Sequence, residues 1–122
     1  QIAENMIDVN HWYNPSSASG QAMRAKTEAD GNYFTFEVYC AYMSVMFLAD
    51  GFERAGSTDK EAVNAALAGS TIDVDFMPYG KTEMVNGQNM GSRAVAIQAQ
   101  KGDVQIIAPS EYASAKAVFP RT

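Results

Sequence analysis

Apolar and polar residues alternate over short stretches at both ends of this chain, and apolar residues recur every three or four positions through its middle. "MIDVNHWYN" (6 to 14) is partly alternating and aromatic-rich. It predicts a strand or extended segment that stops at Asn14-Pro15, because the residue before proline is pushed out of helix. Ser16 or Ser17 then caps a helix through about Asp30, with Ala18, Ala22, Met23 and Ala29 as its apolar positions and Gly31 as its stop. That stripe is weak, so the helix is expected on the surface. "NYFTF" (32 to 36) reads as a short aromatic loop or strand.

The strongest helical pattern runs from about Glu37 to Arg54. Val38, Tyr42, Val45, Ala49 and Phe52 keep the spacing of one helical face, and Tyr39, Ala41, Met46 and Leu48 widen it. Glu37 at the start and Arg54 at the end suit the helix dipole, and Gly56 ends it. "TDKE" (58 to 61) predicts a capping box of Thr58 and Glu61. The helix it opens continues through Ala62, Val63, Ala66 and Leu67 to Gly69. A strand over "TIDVDFM" (71 to 77), a turn at "PYGK" and a short strand near "TEMV" follow. "RAVAIQAQ" and "DVQIIA" then form a hairpin across Lys101-Gly102. The order is strand, three helices, then strands, an α/β or α+β pattern with few strands, most of them late. A self-sufficient sheet covered by three helices is hard to assemble from it, so the pattern predicts part of a domain.

Composition adds bounds. At 122 residues and 47% hydrophobic, the chain is large enough for one modest core. Its net charge is -5 and no two basic residues are adjacent. A phosphate-neutralising stripe is therefore absent and nucleic acid is not an expected partner. The longest apolar run, "VYCAYMSVMFLA" (38 to 49), falls short of the ~20 residues a bilayer requires and reads as a buried helix. Cys40 lies within it and is expected to be a packed, inert thiol. The start "QIAENMIDV" carries no signal-peptide pattern, which predicts either a removed leader or a start inside something longer.

Candidate chemistry is sparse. Tyr112 and Lys116 stand at the Tyr-x-x-x-Lys spacing of a carbonyl-activating pair, but no glycine-rich dinucleotide turn accompanies them. Ser57 and Lys60 match Ser-x-x-Lys without its companion motifs and are better explained by a helix N-terminus. His11 has no second ligand at metal spacing, and Asp73 and Asp75 alternate along the expected strand without partners. No nucleophile, base and orienting group assemble, so neither catalysis, a cofactor nor a metal is expected. Aromatics remain: Trp12 and the "NYFTF" loop lie where the chain changes direction, which suits an amphipathic wall for a small organic ligand.

Four segments together resemble one family. They are "WYNPSS" (12 to 17), "YCAYMSVMFLADGFERAGSTDKEAVNAAL" (39 to 67), "YGKTEMVNGQNMGSRAVAIQ" (79 to 98) and "VQIIAP" (104 to 109). They look like the C-terminal third of a periplasmic substrate-binding protein of the branched-chain amino acid (Leu/Ile/Val-binding) type of ABC transporter. The resemblance covers about residues 6 to 120. It implies the C-terminal part of a two-lobed type I periplasmic-binding-protein fold, with three helices and a late β-hairpin. Residues 1 to 110 would belong to one α/β lobe and 111 to 122 would be a tail crossing toward the other.

It further implies a periplasmic or extracellular location, a membrane permease as partner, and a small-molecule ligand such as an amino acid or organic acid. Members of that family close their lobes by hinge motion, and the same is implied here. In that family the position before the long helix contributes an aromatic to the ligand cleft, which the resemblance assigns here to Phe34. Tyr33 and Tyr39 flank it and Trp12 approaches the same rim. The groups that clamp the ligand's amino and carboxylate ends would lie outside this chain, so little affinity is expected of it alone. Uncovered apolar faces predict self-association. Two other readings stand beside this one: a ligand-sensing module of a receptor or regulator with the same fold, and a truncated, self-associating interaction protein.

Overall fold

A computed structural model describes residues 3–119. Strand β1 (Ile7–Asn10) leads into α1 (Ala18–Ala29), α2 (Phe36–Ala55) and α3 (Lys60–Ala68). The small strands β2 (Met84–Val85) and β3 (Gln88–Asn89) follow, then β4 (Val95–Gln100) and β5 (Asp103–Ala108). The class is mixed α/β, in keeping with part of an α/β domain. One antiparallel sheet has the order β1-β4-β5, and a two-stranded hairpin of β2 and β3 stands apart from it. Among the described residues, no helix is long and apolar enough to cross a membrane.

Local chemistry explains most of these boundaries. Ser17, in extended backbone, caps α1 by accepting the Gly20 amide at 2.9 Å. Gly56 ends α2 in the left-handed conformation. The β4–β5 hairpin turns at Lys101 and Gly102, both at positive φ (56° and 82°), which matches the right-handed twist of the strands it joins. Asn86 and Gly87 close the β2–β3 hairpin in the same way. The α3 cap differs from expectation: Asp59, not Thr58, accepts the Glu61 and Ala62 amides, each at 3.1 Å.

Two further expectations are corrected. Residues 71–77 do not form a strand. Thr82 N donates to Ile72 O at 2.8 Å, but Ile72 N donates to the hydroxyl of Thr82, so a side chain replaces the next ladder bond. Asp75 then turns away to α1, and a regular pairing cannot propagate.

The second correction concerns α2. The stripe read as its buried face is largely exposed, including Tyr42, Val45 and Phe52. The buried positions are Tyr39, Met43 and Gly51, which run along a neighbouring face. A helix this apolar all round offers periodicity no way to choose between its faces. At Gly51 the absent side chain admits Leu67 of α3, whose Cδ2 would lie 2.7 Å from an added Cβ.

The core gathers Trp12, Tyr13, Tyr39, Met43, Phe76, Met77, Val95 and Ile106. In the sheet, Val95 and Ile106 are buried on one face, with Ile97 beside Ile106 across the strands. The other face carries Gln98, Gln100 and Gln105. Arg24 ties α1 to the start of β5 through Asp103 at 2.9 Å, and also pairs with Glu28 at 2.8 Å. The Tyr13 hydroxyl and these two carboxylates hold its guanidinium charged, with pKa above its ordinary value.

Candidate functional site

Phe34 lies in the connection between α1 and α2, one residue before Thr35, which stands at the N-cap of α2. The chain must reverse here, and the half-buried ring folds back onto the segment that follows β1. Its centroid lies 5.0 Å from that of Tyr13 and 6.0 Å from that of Trp12, at interplanar angles of 76° and 79°. Trp12 and Tyr13 are themselves 5.6 Å apart. The two contacts of Phe34 are edge-to-face, with the positive rim of one ring meeting the negative face of another, while Trp12 and Tyr13 are tilted at 59°. Trp12 and Tyr13 are consecutive yet both buried, which is possible because the chain has left the strict alternation of β1.

The four anticipated site residues therefore divide. Phe34 and Trp12 come together. Tyr33 stands 91% exposed, away from the core. Tyr39 is 1% exposed at the centre of the core, where burial pushes its phenol well above its ordinary pKa. It packs the interior and presents no surface to a ligand in this arrangement. Tyr13, which sequence reasoning did not single out, is the third member of the aromatic cluster. One polar atom in the cluster is unsatisfied among the described residues. The indole Nε1 of Trp12 is buried without an acceptor. Buried donors are nearly always paired, so such an atom costs folding free energy, about 1–3 kcal/mol.

A second feature, also not anticipated, is an open groove of about 920 Å³ between α1, α2 and the segment 73–76. Met23, Val38, Tyr42, Val45, Met46 and Phe76 give it an apolar lining. Tyr42 and Phe76 meet edge-to-face across it at 5.7 Å. The signal was present in the sequence as the helical stripe of Val38, Tyr42 and Val45, but that stripe read as core.

At the groove's rim the Asp75 carboxylate accepts from Ser17 Oγ at 2.7 Å and from Ser19 Oγ. These hydroxyls, Ser19 first, hold its carboxyl below the ordinary aspartate value. Asp75 thus has partners, contrary to the expectation of an unpartnered pair with Asp73.

The remaining candidates do not converge. Tyr112 and Lys116 lie outside any helix, so their four-residue spacing does not bring them to a common helical face. Ser57 Oγ accepts the Asp59 amide at 3.0 Å beside the α3 N-terminus. Cys40 packs against the core, and burial raises its thiol pKa, which disfavours the reactive thiolate. Among the described residues, no three His, Cys, Asp or Glu side chains stand where they could hold a metal ion. Together these features comprise aromatic edges, an apolar groove and, among the described residues, one buried indole donor without an acceptor. No protein-family model matches the chain, and no curated protein matches it.

Proposed function

We propose that this chain is the C-terminal portion of a two-lobed solute-binding protein. It would serve an ABC-type uptake system for branched-chain amino acids or related small organic acids, by binding and closure rather than by catalysis. The observation that carries the reading is the packing of Phe34 edge-on against Trp12 and Tyr13 beside an indole N–H with no partner. Phe34 is the position that the family resemblance assigns to the ligand cleft. A half-buried aromatic on a loop, braced by two buried rings, is a preorganised apolar wall. The exposed apolar stripe of α2 supports the same reading, since patches of that kind on a soluble protein mark surfaces that another body covers. In this role the protein works outside the cytoplasm and hands its ligand to a membrane permease.

Calorimetric titration of leucine, isoleucine and valine into the protein made from its full gene tests this. Binding of one of them, weakened at least tenfold by Phe34→Ala, is the expected result. Absence of binding to these and to related small organic acids would overturn it.

A further inference from the structure

Gln98 is the most completely buried polar side chain in the described structure, 0% exposed in the middle of β4. Its amide is saturated. Nε2 donates to the carbonyl of Asn5 at 3.1 Å and to that of Val118 at 3.0 Å. Oε1 accepts from the amide of Val118 at 2.9 Å and from Gln100 Nε2 at 2.7 Å. Two donors and two acceptor sites are all that a carboxamide has.

Gln98 therefore grips Val118 by both main-chain groups, as a neighbouring strand would, and holds Asn5 with the same nitrogen. Gln100 adds a bond to the Lys116 carbonyl at 2.8 Å. Further back, Ile106 O accepts the amides of Ser114 and Ala115, so the tail lies along β5 before it crosses the glutamine face. The recognition is of main chain: the side chains of Lys116, Val118 and Phe119 remain exposed. The segment around Asn5 has other anchors on β4 and its turn: the Asn5 amide donates to Ala99 O at 2.7 Å, Met6 O accepts the Ala99 amide at 3.0 Å, and Glu4 Oε1 accepts the Lys101 amide at 2.8 Å.

From this geometry we infer that Gln98 couples the N-terminal segment around Asn5 to the tail around Val118, so that the two seat and release together. If either leaves, a buried carboxamide loses partners it cannot replace without water, and the hold on the other weakens. Gln98 is then a positioning residue, on the sheet face opposite Val95 and Ile106, for the movement between lobes. That functional consequence rests on the binding-protein reading; the coupling itself does not.

Amide hydrogen exchange on this chain tests the coupling. Val118→Pro deletes the N–H that Gln98 accepts, at a half-exposed side chain, and leaves Gln98 in place. The Asn5 amide is expected to exchange at least tenfold faster, while the Val63 amide in α3 is unchanged. Gln98→Leu should speed exchange at Val118 and Asn5 alike. Unchanged protection of Asn5 in Val118→Pro overturns the coupling, and that variant decides the matter if Gln98→Leu fails to fold. In the full-gene protein, either substitution should shift ligand affinity at least fivefold with Phe34 intact. Unchanged affinity there would overturn the functional role. Absence of ligand binding by the unsubstituted protein would overturn the binding-protein reading and leave the exchange result standing.

Discussion

Ser17 and Asp75 are 58 positions apart in sequence, yet Ser17 Oγ donates to the Asp75 carboxylate at 2.7 Å while accepting the Gly20 amide. One hydroxyl thus caps α1 and ties it to the segment leading into Phe76. Asn14 reinforces the tie from the other side: its amide donates to Phe76 O at 2.7 Å and its side chain to Asp75 O at 3.0 Å. The N-terminus of α1 is fixed by a carboxylate from a distant loop, where negative charge is favoured by the helix dipole.

A pH dependence follows from this tie. The folded state holds the Asp75 carboxyl below its ordinary value. A depressed carboxyl contributes stability that is present above the unfolded value, near pH 4, and lost as pH falls through the folded one. Melting temperatures of the wild type and Asp75→Asn should therefore differ at pH 7, and the gap should close below about pH 4. A gap that stays constant with pH would contradict the role given to Asp75.

Gly20 is the second tightly constrained position of α1. A Cβ there would lie 2.7 Å from Tyr13 Cδ2 and 3.3 Å from Phe76 Cβ. Both neighbours belong to the buried core and cannot swing aside. Gly20→Ala gains helix propensity but overpacks this junction, and a net loss of about 1–3 kcal/mol is expected in urea unfolding. Gly69→Ala is a fitting control, because nothing stands within 4 Å of its added Cβ.

Much of the chain's local structure is legible in its sequence, because it depends on neighbours. Ser17 as cap, Gly31 and Gly56 as stops, and Lys101-Gly102 as turn each act within a few residues. What was not legible is long-range. Nothing in "TIDVDFM" says that Asp75 will turn to the hydroxyls of Ser17 and Ser19 at the start of α1, or that Thr82 will supply a hydroxyl in place of a ladder bond. Gln98 finds its partners at Asn5 and Val118, 93 and 20 positions away, which no local pattern announces. In the candidate site, Phe34 and Trp12 were reachable from the resemblance and from their place at chain reversals. Tyr39 falls on the apolar face of α2 together with Met46 and Leu48, and because that helix is apolar on every side the pattern cannot say that Tyr39 alone of these is buried.

The same ambiguity on α2 yields a prediction about association. Val45 is 67% exposed, with Tyr42, Met46, Leu48 and Phe52 also open to solvent. If this stripe drives self-association of the isolated chain, Val45→Asp should shift light scattering toward the monomer with little change in melting temperature. Surface substitutions away from specific contacts typically cost within about 0.5 kcal/mol. Association unaltered by Val45→Asp would place the contact elsewhere.

We propose that this chain works as part of a larger, two-lobed binding protein. Intact mass combined with light scattering, on the protein purified as expressed from its full gene, tests it most directly. The expected result is a particle well above 13.2 kDa in which these residues are held, covalently or as a nicked complex, with the rest of the protein. A stable monomer of 13.2 kDa as the sole product would contradict it.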